Sequence, residues 1–268
     1  MLEPFLKWPG GKRWLVHQYP SLFPSQYRRY LEPFLGGGAV FFYLKPQRAV
    51  LSDTNAELVN AYQCLRRYSR AIEKRLSDLQ RKHNDALYYR IRETRPTGAI
   101  EQTVRFLYLN RTCFNGIYRV NLKGEFNVPI GTKDRVAYPK DYLQGIAACL
   151  QQASICVADF EETIDKAGAE DFVFVDPPYT VMHNNNNFVK YNAKLFSWTD
   201  QLRLASALKR AARRGAAVMV SNADHQSVRD LYSDFGTHHR VDRTSILAAD
   251  MAHRRKTTEL LITSYRAR

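Results

Sequence analysis

The sequence predicts an α/β fold that is interrupted by one inserted domain, and three observations carry that prediction. Residues 30–35 lead into Gly36-Gly37-Gly38 and a second apolar segment, a pattern typical of a strand, a tight turn and a helix. Residues 171–175 form a nearly continuous apolar run, as a strand buried on both faces does. Between these segments, a long basic stretch breaks the alternation of strands and helices.

The overall composition indicates a folded protein with an anionic partner. Of the 268 residues, 45% are hydrophobic, which is enough to bury a core and excludes bulk disorder. The 40 Lys and Arg residues outnumber the 26 Asp and Glu residues, and the net charge is +14. Such an excess of positive charge usually indicates that the protein binds a polyanion, although a soluble protein with only a cationic surface would carry the same charge.

The other elements of the α/β part follow in chain order. Residues 49–53 are predicted as a strand ending on Asp53, and a helix is predicted over 55–69. Beyond the basic stretch, residues 154–157 are predicted as a strand that leads to Asp159.

The C-terminal part is predicted to contain one capped helix and three strands. Ser197 and Asp200 form a capping box for a helix over 197–214, and Gly215 marks its end. The three strands are predicted at 216–220, 239–244 and 259–264.

The inserted domain is predicted at 57–144, so that the α/β domain consists of 1–56 and 145–268. Residues 66–95 hold ten basic and four acidic residues, with apolar residues at helical spacing. The aromatic-rich stretch that follows contains the turn signals Asn115-Gly116 and Lys123-Gly124, which indicate a hairpin or an extended loop.

Cysteine usage and the N-terminus indicate an intracellular protein. The four cysteines form neither a CxxC motif nor a cluster with histidines, so neither a disulfide framework nor a metal site is predicted. The N-terminus lacks the apolar stretch of a signal peptide, and no apolar run reaches the roughly 20 residues that span a bilayer. We expect a cytoplasmic protein without a membrane partner.

The glycines exclude two common nucleotide sites. A phosphate-binding loop at Gly10-Gly11 would need Gly at position 6 and Ser or Thr at position 13, where the chain has Leu6 and Arg13. A dinucleotide fingerprint at Gly36 would place its third glycine on Phe41. A glycine turn followed by a strand-end Asp53 instead suggests one nucleoside-containing cofactor, although a plain turn and a helix cap would explain the same residues.

The most specific short motif is Asp176-Pro177-Pro178-Tyr179, directly after the apolar run 171–175. The prolines remove two backbone donors and stiffen the turn. The Asp176 carboxylate and the Pro177 carbonyl are then two acceptors, which suit an exocyclic amino group of a nucleobase, and Tyr179 supplies a face for stacking. Such a pocket requires a base flipped out of a duplex. The alternative is a proline turn capped by an aspartate.

The motifs in this order resemble those of the Dam family of DNA adenine-N6 methyltransferases over nearly the whole chain. The matching segments are FLKWPGGK (5–12), LEPFLGGGAVF (31–41), LSDTN (51–55), LYLNRTCFNGIYRVNLKGEFNVPIG (107–131, similar to the family's DNA-reading hairpin) and VFVDPPY (173–179). Pro9 replaces the family's usual Ala. The resemblance implies a Rossmann-like S-adenosylmethionine-dependent methyltransferase fold, with an inserted, mainly helical DNA-recognition domain that carries a β-hairpin.

The resemblance also implies the site residues. Positions that match cofactor contacts are Trp8, Lys12, Phe34, Gly36, Gly38, Asp53, Asp159, Phe160 and Asp176. Positions that match DNA contacts are Lys7, Phe114, Asn115, Arg119 and Pro129. Lys133 stands where some relatives have an aromatic residue. Phe114 would act as a wedge in the base stack, and the Arg119 guanidinium suits guanine O6 and N7; a core aromatic and a phosphate contact or salt bridge are the respective alternatives.

Two further basic clusters have different predicted roles. Residues 209–214 lie at a helix C-terminus, where cations offset the helix dipole. The loop 253–256 lies between strands and is expected to bind phosphates.

The resemblance implies a site-specific adenine-N6 methyltransferase that acts on double-stranded DNA, with GATC as the expected target sequence. Asp176, Pro177, Pro178 and Tyr179 would be catalytic, and Phe188 or Tyr191 would help to stack the flipped base. The alternatives are a catalytically inactive DNA-binding homologue, or an amino-methyltransferase acting on RNA, cytosine N4 or a protein amide. A role in restriction–modification, in repair or regulation, or in a phage stays open. We expect a monomer without a metal.

Overall fold

Helices and strands alternate along most of the chain in the computed structural model, which describes residues 2–116, 118–119, 121, 125–181, 196–244 and 256–267. In chain order the elements are α1 (Arg13–Gln18), β1 (Arg29–Glu32), α2 (Ala39–Leu44), β2 (Ala49–Asp53), α3 (Ala56–Lys82), α4 (Asp85–Glu93), α5 (Ala99–Thr112), α6 (Tyr142–Leu150), β3 (Ala153–Val157), α7 (Phe160–Ile164), β4 (Asp171–Val175), α8 (Trp198–Arg213), β5 (Ala217–Ala223), α9 (Gln226–Leu231), β6 (Thr237–Thr244) and β7 (Lys256–Thr263). The strands form a mixed sheet in the order β3-β2-β1-β4-β5-β7-β6. The predicted α/β fold is confirmed.

Contacts between residues divide the chain into two compact units. Unit 1 consists of Met1–Lys12, Leu35–Lys45 and Asp53–Val157. Unit 2 consists of Arg13–Phe34, Pro46–Ser52 and Ala158–Arg268.

The parallel strands of unit 2 explain where its polar site residues lie. β1 and β4 are parallel, as are β4 and β5, and Val173 pairs with both Leu31 and Val218. All five residues of β4 are buried, as predicted for a strand covered on both faces. Since the order of the strands reverses between β1 and β4, the carboxyl ends of these strands form a switch point, where open α/β sheets bind ligands.

Two strand and helix boundaries in unit 2 have clear local causes. The sequence predicts a strand over 30–35, but β1 ends at Glu32, because Pro33 has no N–H to donate to the neighbouring strand. The capping box of α8 is confirmed: the Asp200 N–H donates to Ser197 Oγ at 3.1 Å, and the Ser197 N–H donates to Asp200 Oδ2 at 2.9 Å.

Basic residues near the end of α8 pair with carboxylates of unit 2. Lys209 lies 2.6 Å from Asp234, and Arg210 lies 2.7 Å from Glu161. These ion pairs place the positive charges of the two side chains next to carboxylates of the same unit.

Unit 1 is built mainly on the long helix α3, which packs against α5 and α6. Asn55 caps α3, since its side chain accepts the Leu58 N–H at 3.1 Å. The predicted end near Ser69 coincides with a break in the helical backbone at Tyr68 (φ −130°, ψ 27°), but the chain resumes the helix and continues to Lys82.

The segment 107–131 differs in part from the expected hairpin. Residues 107–112 form the end of α5, because this helix is buried on almost all faces from Thr103 onward. A 3-10 turn follows at Phe114–Gly116, and an antiparallel bridge joins Cys113, just before this turn, to Ile130. The turn signal Lys123-Gly124 lies outside the described residues.

Within the described part of the chain, no helix is long and apolar enough to cross a membrane. The same residues contain no group of three or more His, Cys, Asp or Glu side chains that could hold a metal ion. The four cysteines, all within the described ranges, are reduced thiols that form no disulfide bond.

Candidate active site

In unit 2, the Asp-Pro-Pro-Tyr segment begins immediately after the buried strand β4. Asp176 is half-buried, Pro177 is buried, and the Tyr179 side chain turns toward neighbouring strands. The Tyr179 hydroxyl donates to Glu259 Oε2 at 2.6 Å and lies 2.7 Å from Ser221 Oγ. The polar end of the tyrosine is thereby fixed on β5 and β7.

The surroundings of Tyr179 keep its hydroxyl protonated. Burial raises the pKa of Tyr179 well above its usual value, and the negative charges of Asp176 and Glu259 raise it further. A protonated phenol donates a hydrogen bond, so the charge of the Glu259 carboxylate strengthens the contact.

An aromatic group follows β1 in unit 2. Phe34 stacks on Phe160 with ring centroids 5.5 Å apart, and both rings meet Phe196 edge-on. The guanidinium of Arg203 lies 4.8 Å from the centre of the Phe160 ring. Phe160 is thus a buried packing residue, 4% exposed, in a cluster whose more accessible ring is Phe34.

Asp159 caps the short helix α7. Its Oδ1 atom accepts the Glu161 N–H at 2.9 Å and also accepts from Arg203 at 2.9 Å. Arg203 therefore contacts both Asp159 and the Phe160 ring, two residues that the resemblance matches to cofactor contacts.

In unit 1, the glycine turn is tied to the end of β2. The Gly36 N–H donates to Asp53 Oδ2 at 3.1 Å, and the Tyr62 hydroxyl donates to the Gly36 carbonyl at 3.0 Å. Gly36 and Gly38 have φ values of 47° and 65°, which favour glycine. Burial raises the pKa of Asp53, while N–H groups of Asn55 and Gly36 oppose that rise.

Trp8 packs directly on this turn. A Cβ atom on Gly36 would lie 2.8 Å from Trp8 Cδ1, so only glycine permits this approach. Lys12, from the same N-terminal motif, is 3% exposed and donates to the Gly10 carbonyl at 3.0 Å. Unit 1 therefore brings together Trp8, Gly36 and Asp53.

Lys7 and the Asn115-Gly116 turn meet in unit 1. The Lys7 N–H donates to Asn110 Oδ1 at 3.0 Å, and Asn110 Nδ2 donates to the Lys7 carbonyl at 2.8 Å and to the Gly116 carbonyl at 3.3 Å. A Cβ atom on Gly116 would lie 2.2 Å from Lys7 Cδ. Burial and the nearby Lys133 charge lower the pKa of Lys7.

The remaining positions that match DNA contacts are exposed. Phe114 is 52% exposed, and its N–H donates to the Pro129 carbonyl at 2.9 Å. Asn115 has φ 55°, a left-handed conformation that asparagine tolerates. Arg119 and Pro129 are also exposed. For Phe114, this exposure is at odds with the alternative of a core aromatic.

Comparisons with known proteins identify the family. The model of the D12 class N6 adenine-specific DNA methyltransferases matches residues 8–246. The chain belongs to this family. It is therefore an adenine-specific DNA methyltransferase, and its seven-stranded mixed sheet is consistent with the S-adenosylmethionine-dependent methyltransferase fold.

Three relatives illustrate the extent of the similarity. The chain is 37% identical to the type II methyltransferase M1.LlaDCHI of Lactococcus lactis subsp. cremoris, covering 98% of this chain and 96% of the relative. It is 34% identical to the type II methyltransferase M.MjaIII of Methanocaldococcus jannaschii, with coverage of 83% and 84%. It is 35% identical to the DNA adenine methylase of Vibrio cholerae, with coverage of 85% and 84%.

The structure of this D12-class enzyme adds residues that the sequence did not reveal. Asn110 and Tyr62 support predicted site residues of unit 1, and Ser221 and Glu259 support Tyr179 of unit 2. Each lies inside a helix or strand, where a lone polar residue resembles an ordinary surface position. The predicted site residues that they support, Lys7, Gly36 and Tyr179, lie at least 26 residues away from them in the chain, so no local pattern marks them.

An aromatic row also joins predicted residues of unit 1. Phe106 lies 6.4 Å from Trp8 and 4.4 Å from Tyr118, measured between ring centroids. Tyr118 directly precedes Arg119, so this row links the N-terminal motif to the segment with the candidate guanine reader.

Phe188 and Tyr191, the further stacking candidates, lie outside the described residues, as do residues 253–255 of the basic loop.

Proposed function

We propose that this D12-class enzyme transfers the methyl group of S-adenosylmethionine to N6 of an adenine flipped out of double-stranded DNA. The observation that carries the proposal is the Asp176-Tyr179 segment, which follows a fully buried parallel strand at the switch point of the sheet. The Tyr179 ring is anchored there through its hydroxyl, and a fixed ring suits stacking on a base.

Asp176 and Pro177 are proposed to hold the amino group of the target adenine. The Asp176 carboxylate accepts one amino hydrogen and the Pro177 carbonyl accepts the other. This arrangement turns the lone pair of the nitrogen out of conjugation with the ring, which makes it nucleophilic. Pro178 keeps the turn stiff, and positioning of this kind supplies much of the acceleration.

Three residues of unit 1 fit the chemistry of S-adenosylmethionine. Asp53 offers a carboxylate to ribose hydroxyls, Lys12 offers a cation to a carboxylate, and Trp8 offers an aromatic face. The remaining proposed cofactor contacts are Phe34, Gly36, Gly38, Asp159, Phe160 and Asp176. The cofactor supplies an electrophilic methyl group on a sulfonium sulfur, so no covalent enzyme intermediate is needed.

Residues 57–144 are proposed to form the DNA-recognition domain. Lys7, Asn115 and Arg119 would read base edges, with Arg119 suited to guanine, and Phe114 would fill the stack that the flipped adenine leaves. We propose GATC as the target because these positions match those of GATC-reading members of the Dam family. The exposure of Phe114 and the shared support of Lys7 and Gly116 on Asn110 favour contacts of this region with DNA, whichever sequence is the target.

The net charge of +14 supports a duplex polyanion as the substrate. Phosphate contacts position a protein but carry no sequence information directly. Overall affinity should therefore fall steeply with salt, whereas the preference for the target site should depend on the few base-reading residues.

The direct test is methyl transfer by Asp176→Ala, with the exposed Asp230→Ala as a matched control. We expect Asp176→Ala to fold with an unchanged circular dichroism spectrum and to lose methylation of duplex DNA, while Asp230→Ala stays active. Wild-type turnover in Asp176→Ala would refute the mechanism. No transfer by the wild type would favour an inactive homologue, and preferred transfer to RNA, or to N4 of cytosine, would refute the substrate assignment.

A further inference from the structure

The hydroxyl of Tyr179 lies at the end of a buried chain of polar side chains in unit 2. It donates to Glu259 Oε2 at 2.6 Å and lies 2.7 Å from Ser221 Oγ, which itself lies 3.4 Å from the same carboxylate oxygen. The other oxygen of Glu259 accepts from Arg243 Nη1 at 2.7 Å. Glu259 is only 3% exposed.

The four residues of this chain come from four consecutive strands of the sheet. Tyr179 follows β4, Ser221 lies on β5, Glu259 lies on β7 and Arg243 lies on β6. The strand ladders fix their spacing: Ala223 pairs with Glu259, and Glu259 pairs with Val241. The tyrosine hydroxyl is therefore held by rigid strands rather than by a loop.

A buried carboxylate is a costly way to stabilise a sheet. Removing a charge from water is unfavourable, and apolar residues of similar volume stabilise a protein core equally well or better. Arg243 compensates the charge of Glu259, and Tyr179 and Ser221 occupy the oxygen that faces β4 and β5. The buried carboxylate of Glu259 is explained if the activity of the enzyme requires the tyrosine hydroxyl to point in one fixed direction.

We propose that Glu259, supported by Arg243 and Ser221, is a positioning residue that fixes the Tyr179 ring in the orientation required to stack on the target base. The proposal rests on the proposed function, in which the Tyr179 ring contacts that base. In the proposed arrangement, Glu259 itself touches neither the base nor the reacting methyl group. Its effect on the orientation of the ring is transmitted through the tyrosine hydroxyl.

This dependence on one hydroxyl distinguishes positioning from a general role in stability. If Glu259 acts through the Tyr179 hydroxyl, replacing Glu259 should have little consequence once that hydroxyl is absent, because coupled residues are not additive. If Glu259 merely stabilises the sheet, its replacement should have the same effect whether residue 179 is Tyr or Phe.

The test is a double-mutant cycle of Glu259→Leu and Tyr179→Phe, measured by kcat, by KM for S-adenosylmethionine, and by the fluorescence of 2-aminopurine at the target position of duplex DNA. We expect Glu259→Leu to lower kcat about tenfold and to weaken the fluorescence change, with little change in KM. In the Tyr179→Phe background the same substitution should lower kcat less than about twofold. Glu259→Gln, which can still accept the hydroxyl hydrogen, should retain most of the activity.

Two controls keep the proposal falsifiable. Thr263→Val changes a buried polar residue on the same strand, where its hydroxyl meets His239, and it should leave kcat unchanged. If Glu259→Leu does not fold, Ser221→Ala tests the same hydroxyl and should also lose its effect in the Tyr179→Phe background. An equal loss of kcat in the wild-type and Tyr179→Phe backgrounds, or no loss of kcat in either, would overturn the positioning role. Absence of adenine methylation by the wild type would instead overturn the proposed function.

Discussion

The side chain of Asn110 holds the backbone of Lys7 from both sides. Its Oδ1 atom accepts the Lys7 N–H at 3.0 Å, and its Nδ2 atom donates to the Lys7 carbonyl at 2.8 Å. The same amide reaches the Gly116 carbonyl at 3.3 Å, and Asn110 is fully buried. One side chain thus supports both the N-terminal motif and the turn that presents Asn115, although Lys7 and Asn110 are 103 residues apart in the chain.

Asn110→Asp should impair discrimination between DNA sequences. A carboxylate can accept the Lys7 N–H but cannot donate to the carbonyls of Lys7 and Gly116, so both would lose a buried partner. We expect the ratio of kcat/KM on target DNA to that on DNA with one altered base pair to fall about tenfold. Methylation assays on the two duplexes measure this ratio.

The exposed Gln102, on the same helix α5, provides the control. Gln102→Ala should keep the discrimination of the wild type. Unchanged discrimination in a folded Asn110→Asp variant would show that Lys7 and the turn do not read the sequence together.

Gly36→Ala should weaken binding of S-adenosylmethionine. Gly36 has φ +47°, and an added Cβ atom would lie 2.8 Å from Trp8 Cδ1, so the variant combines backbone strain with displacement of the indole. Gly10 has φ +78° but nothing within 4 Å of an added Cβ atom, so Gly10→Ala carries strain without a clash. By calorimetry we expect Kd to rise at least about tenfold for Gly36→Ala and less than about threefold for Gly10→Ala. Similar Kd values for the two variants would contradict the role of Trp8 in the site.

Phe114→Ala should weaken DNA binding without loss of stability. The ring is 52% exposed, so its removal leaves no cavity. Stacking of an aromatic side chain on a base is worth about 1–3 kcal/mol, and we expect Kd for duplex DNA to rise about tenfold. Leu202→Ala, which removes another exposed apolar side chain (47% exposed), should not change Kd. Fluorescence anisotropy measures Kd for both variants. Equal Kd values for Phe114→Ala and Leu202→Ala would contradict the proposal that the Phe114 ring fills the base stack.

Asp171→Asn should lower stability in a pH-dependent way. Burial alone would raise the pKa of Asp171, but hydrogen bonds from Arg29, the nearer at 2.6 Å, and from the Gly168 N–H hold it below its usual value. Because the pKa of Asp171 is lower in the folded protein than its value of about 3.9 in the unfolded chain, the ionised carboxylate stabilises the folded state at pH values above about 3.9. This contribution is lost as the pH falls through the pKa of the folded state.

Urea unfolding at several pH values tests this expectation. At pH 7 the free energy of unfolding of the variant should be lower by about 3 kcal/mol than that of the wild type. This value lies near the lower end of the cost of breaking a buried ion pair, because Arg29 is partly exposed. The difference from the wild type should shrink as the pH falls below about 4. A difference that does not depend on pH would contradict the assignment.

The sequence predicted those parts of the site that depend on local patterns. β4 is a continuous apolar run that two prolines end, so the place of Asp176 followed from a few neighbouring residues. The glycine turn was predicted for the same reason. Glu259 and Asn110 escaped prediction because they contact residues that only the folded chain brings near. The hairpin expected over 107–131 was partly wrong, because burial of α5 on nearly all faces outweighs the turn-like composition of residues 107–112.

The central claim is that the Asp176-Tyr179 segment methylates adenine N6 in DNA, and modification-sensitive sequencing of plasmid DNA tests it most directly. Plasmid from cells that produce the wild-type enzyme, in a host without its own adenine methylation, should carry N6-methyladenine at GATC. Plasmid from cells that produce Asp176→Ala should carry none. Methylation at adenines outside GATC would contradict the target assignment alone, whereas methylated cytosine, or N6-methyladenine made by Asp176→Ala, would contradict the central claim.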